Sequence, residues 1–458
     1  MALKLDLTGL FTGGISREGF AARLPLAAAT RDAHLQEMPA WRKLHEAQHH
    51  LENCRARAAE VKAEQAPENF VVLGIGGSAL GNSAALAALA PIYQEWAPSA
   101  GQPKCFILDS IDPDWIAEFL ESVPADKCHF NVISKSGGTI ETSSEFLVFY
   151  RAVREAVGSD EEARRRFTIT TDPLGGHFRK LCDDLGFATL EVPEGVGGRF
   201  SVLSPVGLFN FEMAGLDTES MLAGSCRVDN QCASLPVDQD PTVAYALAHV
   251  MHMEQGRSIH VHFPYAHRLR LLADWYKQLW AESLGKKKNL AGEVVHLGPT
   301  PVKAVGPTDQ HSQCQLYIEG PDDKVYTMVK LAKHANTVEI GEPFAESDAF
   351  GHLANRNLNE LLEVERQGTE VALMDANRPV CTLELCKLDA FHVGQYFAFF
   401  EIATAIAGGI MGINPFDQPG VESGKIAALS LIGCAGFEEN AERIRASAAA
   451  REPFILSC

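Results

Sequence analysis

Short apolar runs alternate with stretches of helical periodicity from Asn69 onward. The runs cover residues 70–73, 105–108, 130–133 and 167–169, and each is followed by Gly, Asp, Ser or Thr. Between them, residues 83–90, 115–123 and 141–157 carry apolar positions at 3.6-residue spacing. Short apolar runs alternating with helical patterns predict a doubly wound α/β domain built on a parallel sheet. A second alternation begins near Pro241, with a helix to Glu254, a run over 258–263, a helix over 268–284 and runs over 325–329 and 380–385. The connector over 221–241 is rich in small and polar residues and lacks a period, so the boundary is expected there. The expected division is an N-terminal extension over 1–40, a first α/β domain over 41–225, a second over 240–410 and a C-terminal segment over 411–458. The fold class expected is α/β, with two α/β/α sandwiches of mainly parallel sheets and helical N- and C-terminal extensions.

The longest apolar stretch, 397–413, is short for a membrane span and contains Glu401 and three glycines. It predicts a buried core helix. Lys4, Asp6, Arg17 and Glu18 interrupt every apolar stretch near the start, so no export signal and a cytoplasmic location are expected. Eleven cysteines without a C-x-x-C pair fit reduced thiols better than a disulfide framework.

Charge narrows the ligand chemistry. Forty basic residues against fifty-nine acidic ones give a net charge of −19, which repels nucleic acid and anionic membranes, and only Lys286, Lys287 and Lys288 cluster. An anionic ligand therefore needs a locally positive pocket made of backbone N–H groups and a few chosen Lys and Arg. In open parallel sheets that pocket belongs beyond the carboxyl ends of the strands.

Two strand-ending turns and a further glycine-rich loop have the right composition. Gly74-Ile75-Gly76-Gly77-Ser78-Ala79 follows a strand and opens a helix, so its glycines admit a phosphate close to backbone N–H groups; tight helix packing alone is the other reading. The same turn matches a dinucleotide fingerprint, but Asp109, which ends the next strand, lies thirty residues past Ala79, where that motif expects about 20. Ser134-Lys135-Ser136-Gly137-Gly138-Thr139 packs hydroxyls, an ammonium and two glycines just before a helix. Capping needs only one such residue, whereas a phosphate uses them all. Gly195-Val196-Gly197-Gly198-Arg199-Phe200-Ser201 offers one arginine after three glycines, either a solvated loop residue or a group that steadies an oxyanion.

Gln278 and Glu282 lie four apart on one helix face among aromatics, a setting suited to a general base, although a surface charge near a helix end reads the same way. His311 and Lys425 are isolated candidates. His260 and His262, two apart on a strand with His267 nearby, make a metal alternative without an acidic or cysteine ligand at a recognised spacing.

Together these segments resemble the glucose-6-phosphate isomerase family in order and approximate spacing across nearly the whole chain. Gly74 to Ser78 and Ser134 to Thr139 are similar to its phosphate-binding turns, and Gly197 to Ser201 to its arginine loop. Glu282-Ser283-Leu284-Gly285-Lys286 and Asp309-Gln310-His311 resemble the segments of its base and its histidine. Most specific is Asn414-Pro415-Phe416-Asp417-Gln418-Pro419-Gly420-Val421-Glu422-Ser423-Gly424-Lys425. The resemblance implies two sugar-isomerase (SIS) domains, no metal or nucleotide cofactor, and a homodimer in which the histidine comes from the partner. By the same resemblance Gly77, Ser78, Ser134, Lys135, Ser136 and Thr139 hold the phosphate of a sugar-phosphate substrate. Glu282 shuttles the proton, Arg199 stabilises an enediolate, Gln278 and Gln418 position hydroxyls, and His311 with Lys425 assists ring opening.

Two departures stand out: Gly137-Gly138 where many members carry bulkier or hydroxylated residues, and Pro419 where some carry an aromatic. They leave room for a broader substrate range that includes mannose 6-phosphate. An amino-sugar-phosphate isomerase is disfavoured because the chain has no amidotransferase-like half. A non-catalytic sugar-phosphate sensor would need the phosphate turns but not Glu282, Arg199, His311 and Lys425 together.

Overall fold

The computed structural model describes residues 3–456, which form one compact unit up to Pro415 and a second from Phe416. The first unit holds two five-stranded sheets. In one, the spatial order is Lys104–Leu108, Asn69–Leu73, Cys128–Ile133, Phe167–Thr171 and Ala188–Glu191, all parallel. The three central strands are buried along their whole length, and their apolar positions make the runs legible although Asn131 and Thr168 are buried among them. Their side chains meet Phe146, Phe149, Phe178 and Phe187 from flanking segments, and Phe130 stacks on Phe167 with ring centres 4.9 Å apart. The fifth strand, Ala188–Glu191, has no counterpart among the predicted runs, because it is a four-residue edge strand with only Leu190 buried.

In the other sheet the order is Lys4–Asp6, Val380–Lys387, Lys324–Lys333, Ile259–Pro264 and Thr300–Lys303. The last four are parallel, and Lys4–Asp6 pairs antiparallel with Val380–Lys387. The N-terminal extension is therefore not purely helical: it adds an edge strand to this sheet before the helix Arg17–Glu37. Three residues are too few to display a period. Pro301 is accommodated because Thr300–Lys303 lies at the other edge, where a missing N–H costs no ladder bond.

The expected irregular connector over 221–241 is also corrected, since most of it is the helix Thr218–Ser234. Its buried face mixes Met221, Leu222 and Val228 with Gly224, Ser225, Asp229 and Cys232, so the apolar stripe is diluted. Smallness is what this face needs at Gly224. It packs on the helix Ala390–Ile410 so closely that a Cβ on Gly224 would stand 1.9 Å from the Phe391 carbonyl oxygen. Ala390–Ile410 contains most of the long apolar stretch and is a core helix as expected, 94% buried over its most apolar window. Glu401 is buried within it, and burial pushes its carboxyl well above the usual carboxylate range.

The second unit contains the helices Pro419–Leu431 and Glu438–Ala449, which pack on each other.

Candidate active site

The strands Asn69–Leu73 and Cys128–Ile133 are hydrogen-bonded neighbours, so the turns that follow them emerge side by side at the carboxyl edge of the sheet. After the first strand, Gly76–Ser78 forms a short 3-10 turn that feeds the helix Leu80–Leu89. Asn82, buried one turn into that helix, donates to the Ser78 carbonyl at 2.8 Å and to the Val206 carbonyl at 3.1 Å, which anchors the end of the turn.

After the second strand, Ser134 is buried and its hydroxyl accepts the Gly137 N–H at 3.1 Å. The turn curls back because Gly137 takes φ +67°, with Phe178 N only 2.5 Å from where a Cβ would stand. The departure at Gly137 is thus dictated by the backbone. Ser136 and Lys135 are exposed, and Thr139 precedes the helix Ile140–Val157 without capping it through its side chain. That absence removes the capping explanation for Thr139. The positive end of this helix and the hydroxyls of Ser136 and Thr139 form a corner of hydrogen-bond donors, a composition suited to an anion.

The arginine loop joins the two turns. Gly77 and Gly198 touch through their backbones, since a Cβ on Gly77 would lie 2.3 Å from the Gly198 carbonyl. Lys135 Nζ donates to the Val196 carbonyl at 3.2 Å. Arg199 is buried and fixed on several sides: Nε donates to Ser283 Oγ at 2.9 Å, Nη2 to the Pro415 carbonyl at 2.9 Å, and Nη1 lies 3.3 Å from Glu282 Oε1. The planar fork of a guanidinium suits this set of partners better than an ammonium would.

Glu282 sits in the last turn of the helix Arg270–Leu284, with its side chain 22% exposed. Gln278, one turn earlier, donates to Glu282 Oε2 at 3.1 Å, and its Nε2 lies 3.0 Å from where a Cβ on Gly76 would stand. Gly76, Gly77, Gly198, Arg199, Gln278 and Glu282 therefore form one continuous cluster beside the Ser134–Thr139 corner. Ser283, buried and aimed at Arg199, and Asn82 carry no sequence motif that singles them out. Ser283 adjoins Glu282 in the chain, and that adjacency to a candidate base is the available signal.

The remaining candidates belong to other segments. His311 is exposed on the loop after Thr300–Lys303, just past the 3-10 turn Thr308–Gln310. Asp309 shapes that loop by accepting Val305 N–H at 2.7 Å and the Ser312 hydroxyl at 2.5 Å. Gln418 and Lys425 belong to the second unit, Gln418 at the N-cap of Pro419–Leu431 and Lys425 paired with Glu422 at 2.9 Å.

His260 and His262 are buried among aromatics. Trp280 donates to His260 Nδ1 at 2.8 Å, and the Tyr396 hydroxyl meets His262 Nε2 at 2.6 Å. Burial pushes His262 down to about 3 and His260 well below the usual imidazole range. His267 is exposed on a separate 3-10 turn, so the three do not converge on one metal position.

Comparison with known proteins places this cluster in context. The family model described as phosphoglucose isomerase matches residues 29–445. A glucose-6-phosphate isomerase from Carboxydothermus hydrogenoformans is 42% identical over 381 residues, covering 82% of this chain and 81% of that one. One from Rubrobacter xylanophilus is 39% identical over 433 residues, covering 94% and 97%. Among solved structures, a hypothetical protein from Thermus thermophilus superposes with a TM-score of 0.85 at 33% identity, over 94% of this chain and 100% of that one. A glucose-6-phosphate isomerase from Chlamydia trachomatis shares the fold, with a TM-score of 0.80 at 21% identity over 96% and 91%.

Proposed function

The chain belongs to the phosphoglucose isomerase family, and we propose that within it Glu282, held against Arg199, is the group that carries the proton. The enzyme interconverts the aldose glucose 6-phosphate and the ketose fructose 6-phosphate. Moving a hydrogen from C2 to C1 of the open-chain sugar needs one base that accepts a proton and returns it. Glu282 takes the C2 proton, the C–H electron pair becomes the C1–C2 double bond, and negative charge gathers on O1. Return of the proton to C1, with transfer of the O2 proton to O1, gives the ketose. The charge on the enediolate is what a fixed guanidinium stabilises, and Arg199 is immobilised by its other partners before substrate arrives.

The remaining roles are carried over from the resemblance to the family. Ser78, Ser136, Thr139 and Lys135 grip the phosphate, Ser134 shapes the turn they sit on, and Gly77 admits the backbone to close approach. Phosphate binding far from the reacting carbons serves orientation. Gln278 and Gln418 position sugar hydroxyls, and Lys425 and His311 assist ring opening. In this reading the enzyme is a cytoplasmic homodimer and His311 acts in the partner's site, which accords with its exposure on a loop. The two sugar-isomerase domains are assigned to 41–225 and 240–410, flanked by 1–40 and 411–458, and each assigned domain contains one of the parallel sheets apart from the Lys4–Asp6 edge strand.

The observation that carries the reading is the 3.3 Å contact of Arg199 with Glu282 beside the phosphate corner. The test is a coupled assay with glucose 6-phosphate or fructose 6-phosphate in the presence of a chelator and no added cofactor. Turnover in both directions is expected, and no turnover contradicts the reading.

A further inference from the structure

A second cluster of chemistry-bearing side chains lies where the helix Gln48–Gln65 begins and the edge strand Ala188–Glu191 ends. His50 is buried and His49 is exposed, both in the first turn of that helix. Glu191 faces them: its Oε1 lies 3.2 Å from His50 Nδ1 and 3.7 Å from His49 Nε2. One ligand atom from each of the three residues falls within 4.8 Å of the others.

These contacts are not hydrogen bonds in the usual sense. His50 Nδ1 is buried and has no hydrogen-bond partner among the described residues, although a carboxylate oxygen stands beside it. An imidazole nitrogen and a carboxylate oxygen that stand 3.2 Å apart without a hydrogen bond are two donor atoms that one shared cation would engage.

We propose that His49, His50 and Glu191 bind a divalent late-transition-metal ion, with zinc as the best match. Metal–nitrogen and metal–oxygen bonds of about 2.0–2.1 Å in a tetrahedron set ligand atoms roughly 3.3 Å apart, and the observed separations of 3.2 and 3.7 Å bracket that edge. Two imidazoles and one carboxylate suit zinc and its neighbours, not magnesium or calcium, which prefer all-oxygen sites. His50 and Glu191 also line a cavity of about 400 Å³ with Asn53, Arg57, Arg179 and Thr189, which leaves room for water at a fourth ligand position. The bound ion ties the start of one helix to the end of the strand that runs on to Val196 and Arg199. Its role is a structural clamp, independent of the proton transfer proposed above.

The test uses the full-length protein, stripped with chelator and dialysed. Zinc is titrated by calorimetry, and cobalt(II) is titrated as a spectroscopic probe of tetrahedral nitrogen and oxygen ligation. One equivalent is expected to bind and to raise Tm. His49→Gln, Glu191→Gln and His50→Gln should each weaken zinc by at least the roughly 10–100-fold that loss of an outer-shell partner costs. His49 is exposed, so His49→Gln is expected to retain full turnover in chelator, which verifies its fold. The proposal is overturned if the wild-type protein takes up no zinc, or if His49→Gln and Glu191→Gln bind zinc and shift Tm as the wild type does. Loss of turnover in every protein, with zinc binding still dependent on these residues, would count against the isomerase reading and leave the metal site standing.

Discussion

Arg199 Nη1 and Glu282 Oε1 stand 3.3 Å apart, the arginine on a loop beyond the first sheet and the glutamate at the end of the helix Arg270–Leu284. The pair places a fixed positive charge against the proposed base, so that charge lost from the carboxylate on protonation reappears on a substrate oxygen near the same guanidinium.

Arg199→Lys tests whether geometry or charge alone is needed. A lysine keeps the charge but cannot reach Ser283, the Pro415 carbonyl and Glu282 together. The expected result is a fall in kcat of about 10²–10³-fold, the range for losing one preorganised stabilising donor. Steady-state kinetics with kcat within a few-fold of wild type would remove Arg199 from the transition state.

The contact between the glycine turn and the arginine loop gives a second test. Gly77→Ala puts a methyl 2.3 Å from the Gly198 carbonyl and must push the two segments apart. A loss of about 1–3 kcal/mol in stability is expected from such overpacking, together with a drop in kcat. Gly138→Ala is the control, since its nearest neighbour is Ser136 Oγ at 3.6 Å. Thermal melts of the two variants should differ clearly in Tm, and equal Tm values would contradict the contact.

Lys135→Ala should weaken binding more than turnover. Losing a hydrogen bond to a charged group costs about 1.5–3 kcal/mol, so KM is expected to rise by roughly 10–100-fold with kcat little changed. A change in kcat alone would show that Lys135 does not grip the phosphate.

Glu145 makes stability depend on pH. Burial, with repulsion from Asp109 and Glu141, raises its carboxyl from the ordinary 4.5 to about 8, and its Oε1 has no hydrogen-bond partner among the described residues. Folding thus takes up a proton between these values, so this group's contribution is full below about 4.5 and is lost as pH rises toward 8. Glu145→Gln should flatten the fall of Tm with rising pH across that window, with the variant ahead of wild type by a few degrees at the alkaline end. Parallel Tm–pH curves would refute the assignment.

Much of the fold is legible because buried parallel strands leave a mainly apolar signal: the runs at 70–73 and 130–133, the latter broken only by Asn131, fall inside strands buried from end to end. Ala188–Glu191 and Lys4–Asp6 are not, since short edge strands bury too little to pattern the sequence. The helix Thr218–Ser234 reads as a connector because small and polar residues, such as Gly224 at the close helix contact, dilute the apolar positions Met221, Leu222 and Val228. At the site, the two turns announce themselves through their density of hydroxyls and glycines. What no local pattern can give is the meeting of Arg199 with Glu282 and Ser283, separated by more than eighty residues and joined only by the tertiary fold.

Glu282→Gln tests the central claim most directly, because it keeps the shape and the hydrogen bond to Gln278 while removing the ability to accept a proton. Steady-state kinetics in chelator should show kcat reduced by at least the roughly 10²–10⁴-fold that a general base contributes, while the affinity for fructose 6-phosphate, measured by equilibrium binding, stays within a few-fold of wild type. A variant that turns over within a few-fold of the wild-type rate would contradict the account, since the proton would then be carried by another group.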